Sequence, residues 1–358
     1  MGASVTQLQR FVRCRHCQLP HLASVARCPF SGEAVDPQTR LPDNVEWRPS
    51  REELTGTLLD DRYLVGQRIG EGAMGSVYRS EHIRLGTTVA VKVLHGRFES
   101  GSAAEKRFLR EGQSAGRVEH PNVVRVFDVG RLPDGAPYIV MEHLEGVELS
   151  AQITPGGLSI QRVLTLAEQL LQGLACAHSH RVIHRDIKPD NIFLARSGGE
   201  EVLKILDFSI AKDQSADTMT RDGDVLGTPQ YLAPEQASGR PVDGRVDLWA
   251  AGVVIYELLT GKVPFHGQNL PNLILAILKN PAKPPSQIVA GLTPAVDAFF
   301  EKALAKDAAD RFQDAGTMWT ALRTALAPLL LGPAPQGDLP SVTVMESIEL
   351  YDTLIDET

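Results

Sequence analysis

The sequence has 358 residues, of which 36 are Lys or Arg and 44 are Asp or Glu, so the formal net charge is −8. This acidic balance argues against a protein that binds nucleic acid through its overall charge. Apolar residues make up 43% of the chain and charged residues 22%, which is typical of a globular protein. The sequence contains no apolar run of the roughly 18 residues that cross a membrane, and four cysteines are too few for a disulfide scaffold. We therefore expect a cytoplasmic protein with no membrane span and no nucleic-acid partner.

Residues 1–41 contain three of the four cysteines. Cys14 and Cys17 form a CxxC pair, and Cys28 begins a second, similar stretch in which Ser31 occupies the position of a fourth cysteine. Zinc ribbons use two such pairs, so this segment is zinc-ribbon-like but three thiolates leave the tetrahedral ligand set of zinc one short.

His21 or His16 is the residue that would complete a zinc site in this segment. The alternative is a degenerate ribbon that packs without metal. The residues that follow, 42–61, are polar and turn-prone, and we interpret them as a linker.

A regular pattern begins at residue 63, where residues 63–69 alternate as in a strand. They run into Gly70-Glu71-Gly72-Ala73-Met74-Gly75. Glycines at this spacing let backbone N–H groups approach phosphate oxygens. A dinucleotide-binding fold would need a helix directly after the third glycine, whereas residues 76–79 and 87–93 favour strands. We therefore predict that the loop belongs to a β-hairpin that covers a phosphate-bearing ligand.

Lys92 lies in the second of these strands between two valines. A lysine among apolar neighbours is costly unless its charge is paired, although an edge lysine can also extend outward to solvent. Residues 105–118 have the composition of a helix and carry two candidate carboxylates, Glu111 and Glu105. We favour Glu111 as the partner of Lys92.

The most specific motif is His184-Arg185-Asp186-Ile187-Lys188-Pro189-Asp190-Asn191. A helical apolar pattern over residues 166–177 precedes it, and two short strands follow it before Asp207. A long helix, a polar loop, two strands and a carboxylate make a coherent catalytic site. Their occurrence in the same chain as the glycine loop and Lys92 makes coincidence negligible.

These motifs resemble those of a eukaryotic-type serine/threonine protein kinase of the bacterial branch, over about 265 residues from Arg62 to Ala327. The resemblance implies an α+β, bilobal protein-kinase fold. A small antiparallel-sheet lobe with one main helix would occupy residues 62–143, and a larger, mostly helical lobe would occupy residues 144–331.

Two further stretches resemble this family. Residues 227–235 are similar to the end of an activation loop, and residues 247–259 are similar to the buried central helix of the large lobe. The resemblance implies that Asp247 braces the catalytic loop and that Arg311 pairs with Glu235.

The resemblance also implies the roles of the catalytic residues. Asp186 would orient the substrate hydroxyl group and accept its proton, and Lys188 would lie near the γ-phosphate of ATP. Lys92 would contact the α- and β-phosphates and pair with Glu111.

ATP and a metal ion are the cofactors that the resemblance implies. Asn191 and Asp207 would hold Mg²⁺, for which Mn²⁺ could substitute. Met141 would be the gatekeeper, and the backbone of Glu142 and Leu144 would meet adenine. The full set of implied nucleotide-binding residues is Ile69, Gly70, Glu71, Gly72, Ala73, Met74, Gly75, Ser76, Val77, Ala90, Lys92, Met141, Glu142, Leu144, Asn191 and Asp207.

Two features concern regulation. The metal-binding motif ends in Ser209, where the family has glycine, and we expect this change to alter the gating of the loop while metal binding persists. Thr218 and Thr220 are candidate phosphorylation sites, because a phosphate there could pair with Arg185.

Residues 332–358 carry six acidic residues and no basic one, interspersed with apolar side chains. This composition is typical of a disordered segment that docks on a partner, and the alternative is a solvated tail without one.

The function that the sequence favours is transfer of the ATP γ-phosphate to Ser or Thr of protein substrates, with autophosphorylation in the activation loop. The alternative is a nucleotide-binding pseudokinase that acts as a scaffold. A small-molecule kinase is disfavoured because residues 227–235 resemble a peptide-docking ledge of the family.

Overall fold

The computed structural model describes residues 11–13, 20–22, 26–27, 34, 54–72, 75–94, 101–132, 134–207 and 229–330. Near the N-terminus, strand β1 (Phe11–Arg13) pairs antiparallel with β2 (Pro20–Leu22), with Arg13 opposite Pro20. Arg27 and Ala34 form a second antiparallel bridge.

A six-stranded antiparallel sheet forms the small lobe. The strands are β3 (Leu58–Leu59), β4 (Tyr63–Gly72), β5 (Gly75–His82), β6 (Thr87–Leu94), β7 (Val126–Arg131) and β8 (Pro137–Glu142). Their spatial order is β3-β4-β5-β6-β8-β7. The core residues of the lobe are mostly aromatic and β-branched, which suits a pleated, half-buried surface.

Helix α1 (Ala103–Ala115) packs against strand β7. The hydroxyl oxygen of Ser102 accepts a hydrogen bond from the backbone N–H of Glu105 and so caps the first turn. The helix ends at Ala115, three residues before the predicted end, since Gly116 is its C-terminal cap.

The small lobe begins earlier than the sequence suggests, because residues 54–61 pack on it. Leu54 and Leu59 are buried in the core of the lobe, and β3 pairs with the start of β4. Asp60, in a left-handed turn, accepts a hydrogen bond from the Tyr138 hydroxyl group. The polar residues that suggested a linker here form a turn, while the interspersed leucines anchor it.

The large lobe is mostly helical and also contains a three-stranded antiparallel sheet. The elements are β9 (Gly146–Glu148), α2 (Ile160–Ser179), β10 (Ile192–Ser197), β11 (Glu200–Ile205), α3 (Pro234–Ala237), α4 (Arg245–Thr260), α5 (Leu270–Lys279), α6 (Pro294–Ala303) and α7 (Ala315–Leu326). The order of the strands in the sheet is β11-β10-β9. Residues of α4 are buried all along the helix, as its near-continuous apolar character predicted. Among the described residues, no helix is both long and apolar enough to cross a membrane.

Direct contacts connect the two lobes near the end of β8, where the chain passes from the small lobe to the large lobe. Val123 and Ile205 form a parallel bridge. The carboxylate of Glu142, the last residue of β8, pairs with Lys204 of β11 at 2.7 Å. The predicted bilobal α+β architecture is therefore confirmed, and β11 leads from this junction directly to Asp207.

Candidate active site

The glycine-rich segment forms the predicted hairpin between β4 and β5. Gly72 lies opposite Gly75 across the hairpin, and Glu71 lies opposite Ser76. A Cβ atom at Gly75 would lie 2.3 Å from the carbonyl oxygen of Val93, so only glycine fits there. Ala73 and Met74, at the tip, lie outside the described residues.

An apolar cluster lies at the junction of the lobes and includes Val77 of β5, which follows the hairpin. Ala90 of β6 lies opposite Met141 of β8. Val77 and Leu144 pack against the same cluster, which brings together four of the predicted nucleotide-binding residues. Such a surface suits the flat face of a nucleobase.

Two members of this cluster, Val124 and Leu206, were missed by the sequence analysis. Leu206 directly precedes Asp207 in the chain, and that position is the only feature of the sequence that could have identified it.

Lys92 is buried on β6, with 11% of its side chain exposed. Its Nζ atom lies 2.5 Å from Oδ2 of Asp207, which is 115 residues away in the sequence. Asp207 has φ +52°, a left-handed conformation that is uncommon for a residue other than glycine. The fold thus joins two residues that the sequence analysis assigned to phosphate and metal binding.

The two candidate carboxylates of α1 have different surroundings. Glu105 forms an ion pair with Arg131 at 3.0 Å and accepts a hydrogen bond from the backbone N–H of Gly101. Glu111 has a solvent-shielded Oε2 atom. The engagement of Glu105 elsewhere favours Glu111, and its pairing with Lys92 stays a prediction.

The predicted catalytic residues cluster in the loop between α2 and β10. Asn191 donates from Nδ2 to Oδ2 of Asp186 at 3.0 Å and to the backbone oxygen of Asp186 at 2.7 Å. Nζ of Lys188 lies 3.5 Å from the same carboxylate. These contacts fix the Asp186 side chain from two directions.

Asp247 of α4 braces this loop, which confirms its predicted role. Its buried carboxylate accepts hydrogen bonds from the backbone N–H groups of His184 at 2.8 Å and Arg185 at 2.7 Å. Nε2 of His178 lies 2.8 Å from the same carboxylate. Arg185 has φ +65°, so the brace holds a backbone conformation that a non-glycine residue adopts at a cost.

His184 connects the loop that contains Asp186 to the segment before Asp207, which the sequence predicts to bind metal. Its Nδ1 atom accepts a hydrogen bond from the backbone N–H of Asp186, so its Nε2 carries the proton donated to the carbonyl oxygen of Leu206 at 2.5 Å. Both contacts suit the neutral ring, and complete burial lowers the pKa of His184 below its ordinary value.

A buried ion pair lies below the site. The guanidinium group of Arg311 donates two hydrogen bonds to the carboxylate of Glu235, each 2.8 Å long. This bidentate geometry confirms the predicted pair and ties the start of α3 to the segment before α7.

Several predicted residues lie outside the described part of the chain. They include Ser209, Thr218, Thr220 and the three N-terminal cysteines, Cys14, Cys17 and Cys28. His21 is described as part of β2, where its backbone lies opposite Val12. Among the described residues, no group of three or more His, Cys, Asp or Glu side chains could hold a metal ion by themselves.

A comparison with models of protein families shows to which family the chain belongs. The model of the protein kinase domain matches residues 63–321. The chain belongs to the protein kinase family. The chain is also similar to crystal structures of a bacterial kinase domain, that of Mycobacterium tuberculosis PknI, with a TM-score of 0.60 and 26% sequence identity over 76% of this chain and 99% of that one.

Bacterial serine/threonine-protein kinases are similar to this kinase in sequence. Pkn1 of Myxococcus xanthus is 41% identical over 264 residues, which are 73% of this chain and 38% of Pkn1. PknB of Mycolicibacterium smegmatis is 38% identical over 79% of this chain and 45% of PknB. PrkC of Bacillus subtilis is 37% identical over 76% of this chain and 42% of PrkC. The chain therefore spans less than half the length of these relatives.

Proposed function

We propose that this kinase transfers the γ-phosphate of ATP to Ser or Thr hydroxyl groups of proteins. The observation that carries the proposal is the convergence of Lys92, Asp186, Asn191 and Asp207 on one cleft. The Lys92–Asp207 and Asn191–Asp186 contacts are linked by a hydrogen bond from the backbone N–H of Leu206 to the carbonyl oxygen of Asn191 at 2.8 Å. The names of the similar bacterial kinases support the choice of Ser and Thr.

Positioning and charge stabilisation are what phosphoryl transfer requires of a protein. Asp186, held by Asn191 and Lys188, orients the attacking hydroxyl group and accepts its proton. The ammonium group of Lys188 offsets negative charge that develops on the transferred phosphoryl group. Lys92 positions the remaining phosphates from the opposite lobe.

A divalent cation is the cofactor that these residues fit. The carboxylate of Asp207 and the side-chain oxygen of Asn191 are hard oxygen ligands of the kind that Mg²⁺ binds, and Mn²⁺ accepts the same set. The Nδ2 atom of Asn191 donates hydrogen bonds to Asp186, so the side-chain amide oxygen of Asn191 is the atom that would bind the metal. When bound, the metal neutralises the triphosphate.

Transfer to an array of peptides that each contain a single Ser or Thr tests this proposal. The purified full chain with γ-labelled ATP and Mg²⁺ should label these residues, and chelation of the metal should abolish the label. Peptides whose Ser or Thr is replaced by Ala serve as the matched control. Binding of ATP without any label would contradict the proposal and favour the scaffold alternative.

We also propose that the kinase regulates itself by phosphorylation of Thr218 or Thr220. Arg185 directly precedes Asp186 and is the cation that would bind such a phosphate. Mass spectrometry of active protein should find one of these threonines modified, and the modification should be missing after replacement of Asp186 by Asn. Active protein with both threonines unmodified would contradict the proposal.

A zinc site in the N-terminal segment is a separate proposal. Arg13 lies opposite Pro20, and these paired residues bracket Cys14 and Cys17 in the sequence. The Arg27–Ala34 bridge brackets Cys28 in the same way, with six residues between the two paired positions in both cases. In both intervals the first residue is a cysteine, and zinc ribbons likewise take their ligands from two short cysteine-containing stretches. His21 or His16 supplies the fourth ligand.

Metal analysis of the full chain tests the zinc site. We expect one equivalent of zinc per chain, lost on Cys14→Ser and retained in the Cys176→Ser control, which changes a cysteine of helix α2. His21→Ala distinguishes between His21 and His16 as the fourth ligand, because this variant binds zinc more weakly only if His21 is a ligand. A zinc-free wild-type chain would contradict the proposal.

The use of ATP indicates the cellular compartment in which the kinase acts. Because ATP is a cytoplasmic nucleotide, we propose that the kinase phosphorylates proteins in the cytoplasm. Cell fractionation that found the kinase domain on the outer side of the membrane would contradict this placement.

A further inference from the structure

Helix α5 is apolar on two opposite sides although it lies at the surface. Leu273 and Ile277 are buried against the large lobe. On the outer side, Leu275 is 56% exposed, and Ile274 and Leu278 are partly exposed. These three positions are spaced so that they form one continuous stripe. A surface helix normally carries polar residues on its outer side, so the stripe indicates an interaction surface.

The segment of the chain that carries this stripe is positively charged. Between Glu257 and Asp297 the sequence contains no acidic residue. It contains three lysines in this interval, and all three are exposed: Lys262, Lys279 and Lys283. Lys279 is the last residue of α5, and Lys283 follows four positions later. The surface therefore suits an occupant that combines apolar side chains with negative charge.

Residues 332–358 of this chain have that chemistry. They carry six acidic residues and no basic residue, and the apolar side chains Val342, Val344, Met345, Ile348, Leu350 and Leu354 lie among them. We propose that this acidic tail docks on the outer face of α5, with its apolar residues on the Leu275 stripe and its carboxylates beside the lysines.

The length of the tail permits docking within one molecule. The described part of the large lobe ends at Leu330. The 27 residues of the tail span up to about 90 Å when extended. A domain of this size has a radius of gyration of only about 18 Å, so the tail reaches α5 from any point of departure. Tethering also raises its effective concentration to the millimolar range.

A second copy of the chain is a poorer occupant of this face. Pairing of two α5 helices would bring together two copies of a segment that carries exposed lysines and no acidic residue, so neither copy would supply opposite charge from this segment. The tail brings the opposite charge.

Docking at α5 has a consequence for the large lobe. Helix α5 packs against α3 and against the short 3₁₀ helix Pro229–Tyr231, which belong to the segment after the activation loop. A docked tail therefore covers surface next to the segment that resembles a substrate-docking ledge.

Photo-crosslinking of the full chain tests this proposal. The variant Leu275→p-benzoylphenylalanine places the probe in the stripe, and Leu85→p-benzoylphenylalanine is the matched control, because Leu85 is a 70% exposed leucine of the small lobe. We expect cross-linked peptides from residues 332–358 in a product of monomer mass, at a yield several-fold above that of the control. Raising the salt concentration to about 1 M should reduce the yield, since the Debye length then falls to about 3 Å.

A charge exchange tests the pairing itself. The double variant Lys279→Glu, Lys283→Glu should lower the cross-link yield several-fold, and adding Glu346→Lys and Glu349→Lys in the tail should restore it. Cross-links of dimer mass, cross-links only to other segments, or no cross-link to residues 332–358 would each overturn the proposal. Because the measurement needs no nucleotide, its failure would leave the proposed phosphoryl transfer untouched.

Discussion

At the scale of single residues, buried polar side chains hold the catalytic loop in position. Asp247 receives two backbone N–H groups of the loop, and His184 connects the loop to the carbonyl group before Asp207. Both side chains bind backbone groups of the protein, so they act by positioning other residues. They give the carboxylate of Asp186 and the proposed metal ligands a fixed geometry, and positioning of this kind is the main protein contribution to phosphoryl transfer.

The lowered pKa of His184 gives a prediction about acid stability. Below pH 6.5 the unfolded chain binds a proton on this residue that the folded protein excludes, so the free energy of unfolding should decrease as pH falls through 6.5. The decrease attributable to His184 is at most about 1.4 kcal/mol per pH unit. An NMR titration of the His184 ring, assigned with the His184→Gln variant, should show a midpoint below 6.5. A midpoint at or above 6.5 would mean that the buried ring accepts charge and that this account is wrong.

The Glu235–Arg311 pair gives a prediction about folding stability. Arg311 is only 2% exposed, so Glu235→Gln leaves a buried guanidinium group without its counter-charge. We expect a loss of about 3–5 kcal/mol in the free energy of unfolding, measured by urea denaturation.

The matched control is Asp243→Asn, which removes one charge from the more exposed Arg245–Asp243 pair nearby. We expect that variant to lose about 1 kcal/mol or less. Equal losses in the free energy of unfolding for the two variants would show that burial does not increase the contribution of the Glu235–Arg311 pair to stability.

At the scale of secondary-structure elements, the positions of the strands and helices that carry the site follow closely from the sequence. The glycine hairpin and the strand of Lys92 have strong local patterns, since strand alternation is interrupted there only by turn residues. The burial of α4 was predictable because its apolar residues cover the whole circumference of the helix.

Other features of the elements depend on partners that are distant in the sequence. Residues 54–61 looked like a linker because Asp60 and Asp61 are polar, yet Leu54 and Leu59 are buried against strands that come later in the chain. The Lys204–Glu142 pair joins residues 62 positions apart. No local pattern predicts such pairings, because they arise only when the strands and lobes come together.

The packing of α1 against β7 gives a prediction at this scale. A Cβ atom at Gly112 would lie 2.4 Å from Cγ1 of Val129, so Gly112→Ala should push α1 away from the sheet and displace the neighbouring Glu111. We expect a loss of about 1–3 kcal/mol in stability together with weaker ATP binding, measured by calorimetry. The double variant Gly112→Ala, Val129→Ala makes room for the added methyl group and should recover much of the ATP affinity. Unchanged affinity in the single variant would contradict this role of Gly112.

At the scale of the whole molecule, the two lobes place complementary parts of the site on opposite sides of one cleft. The small lobe supplies the glycine hairpin and Lys92, and the large lobe supplies Asp186, Asn191 and Asp207. The Lys204–Glu142 pair and the Val123–Ile205 bridge join the lobes beside this cleft. Neither lobe alone contains all the groups to which the proposed phosphoryl transfer assigns a role.

The most direct test of this account compares Asp186→Asn with Asp190→Asn. Both variants remove one negative charge from the same loop, but only Asp186 contacts Asn191 and Lys188 in the site. Transfer of labelled phosphate and binding of ATP with Mg²⁺ should be measured on the same preparations of residues 1–358. We expect Asp186→Asn to bind nucleotide but to transfer phosphate at least about 100-fold more slowly, and Asp190→Asn to keep wild-type transfer. Undiminished transfer in Asp186→Asn would contradict this account.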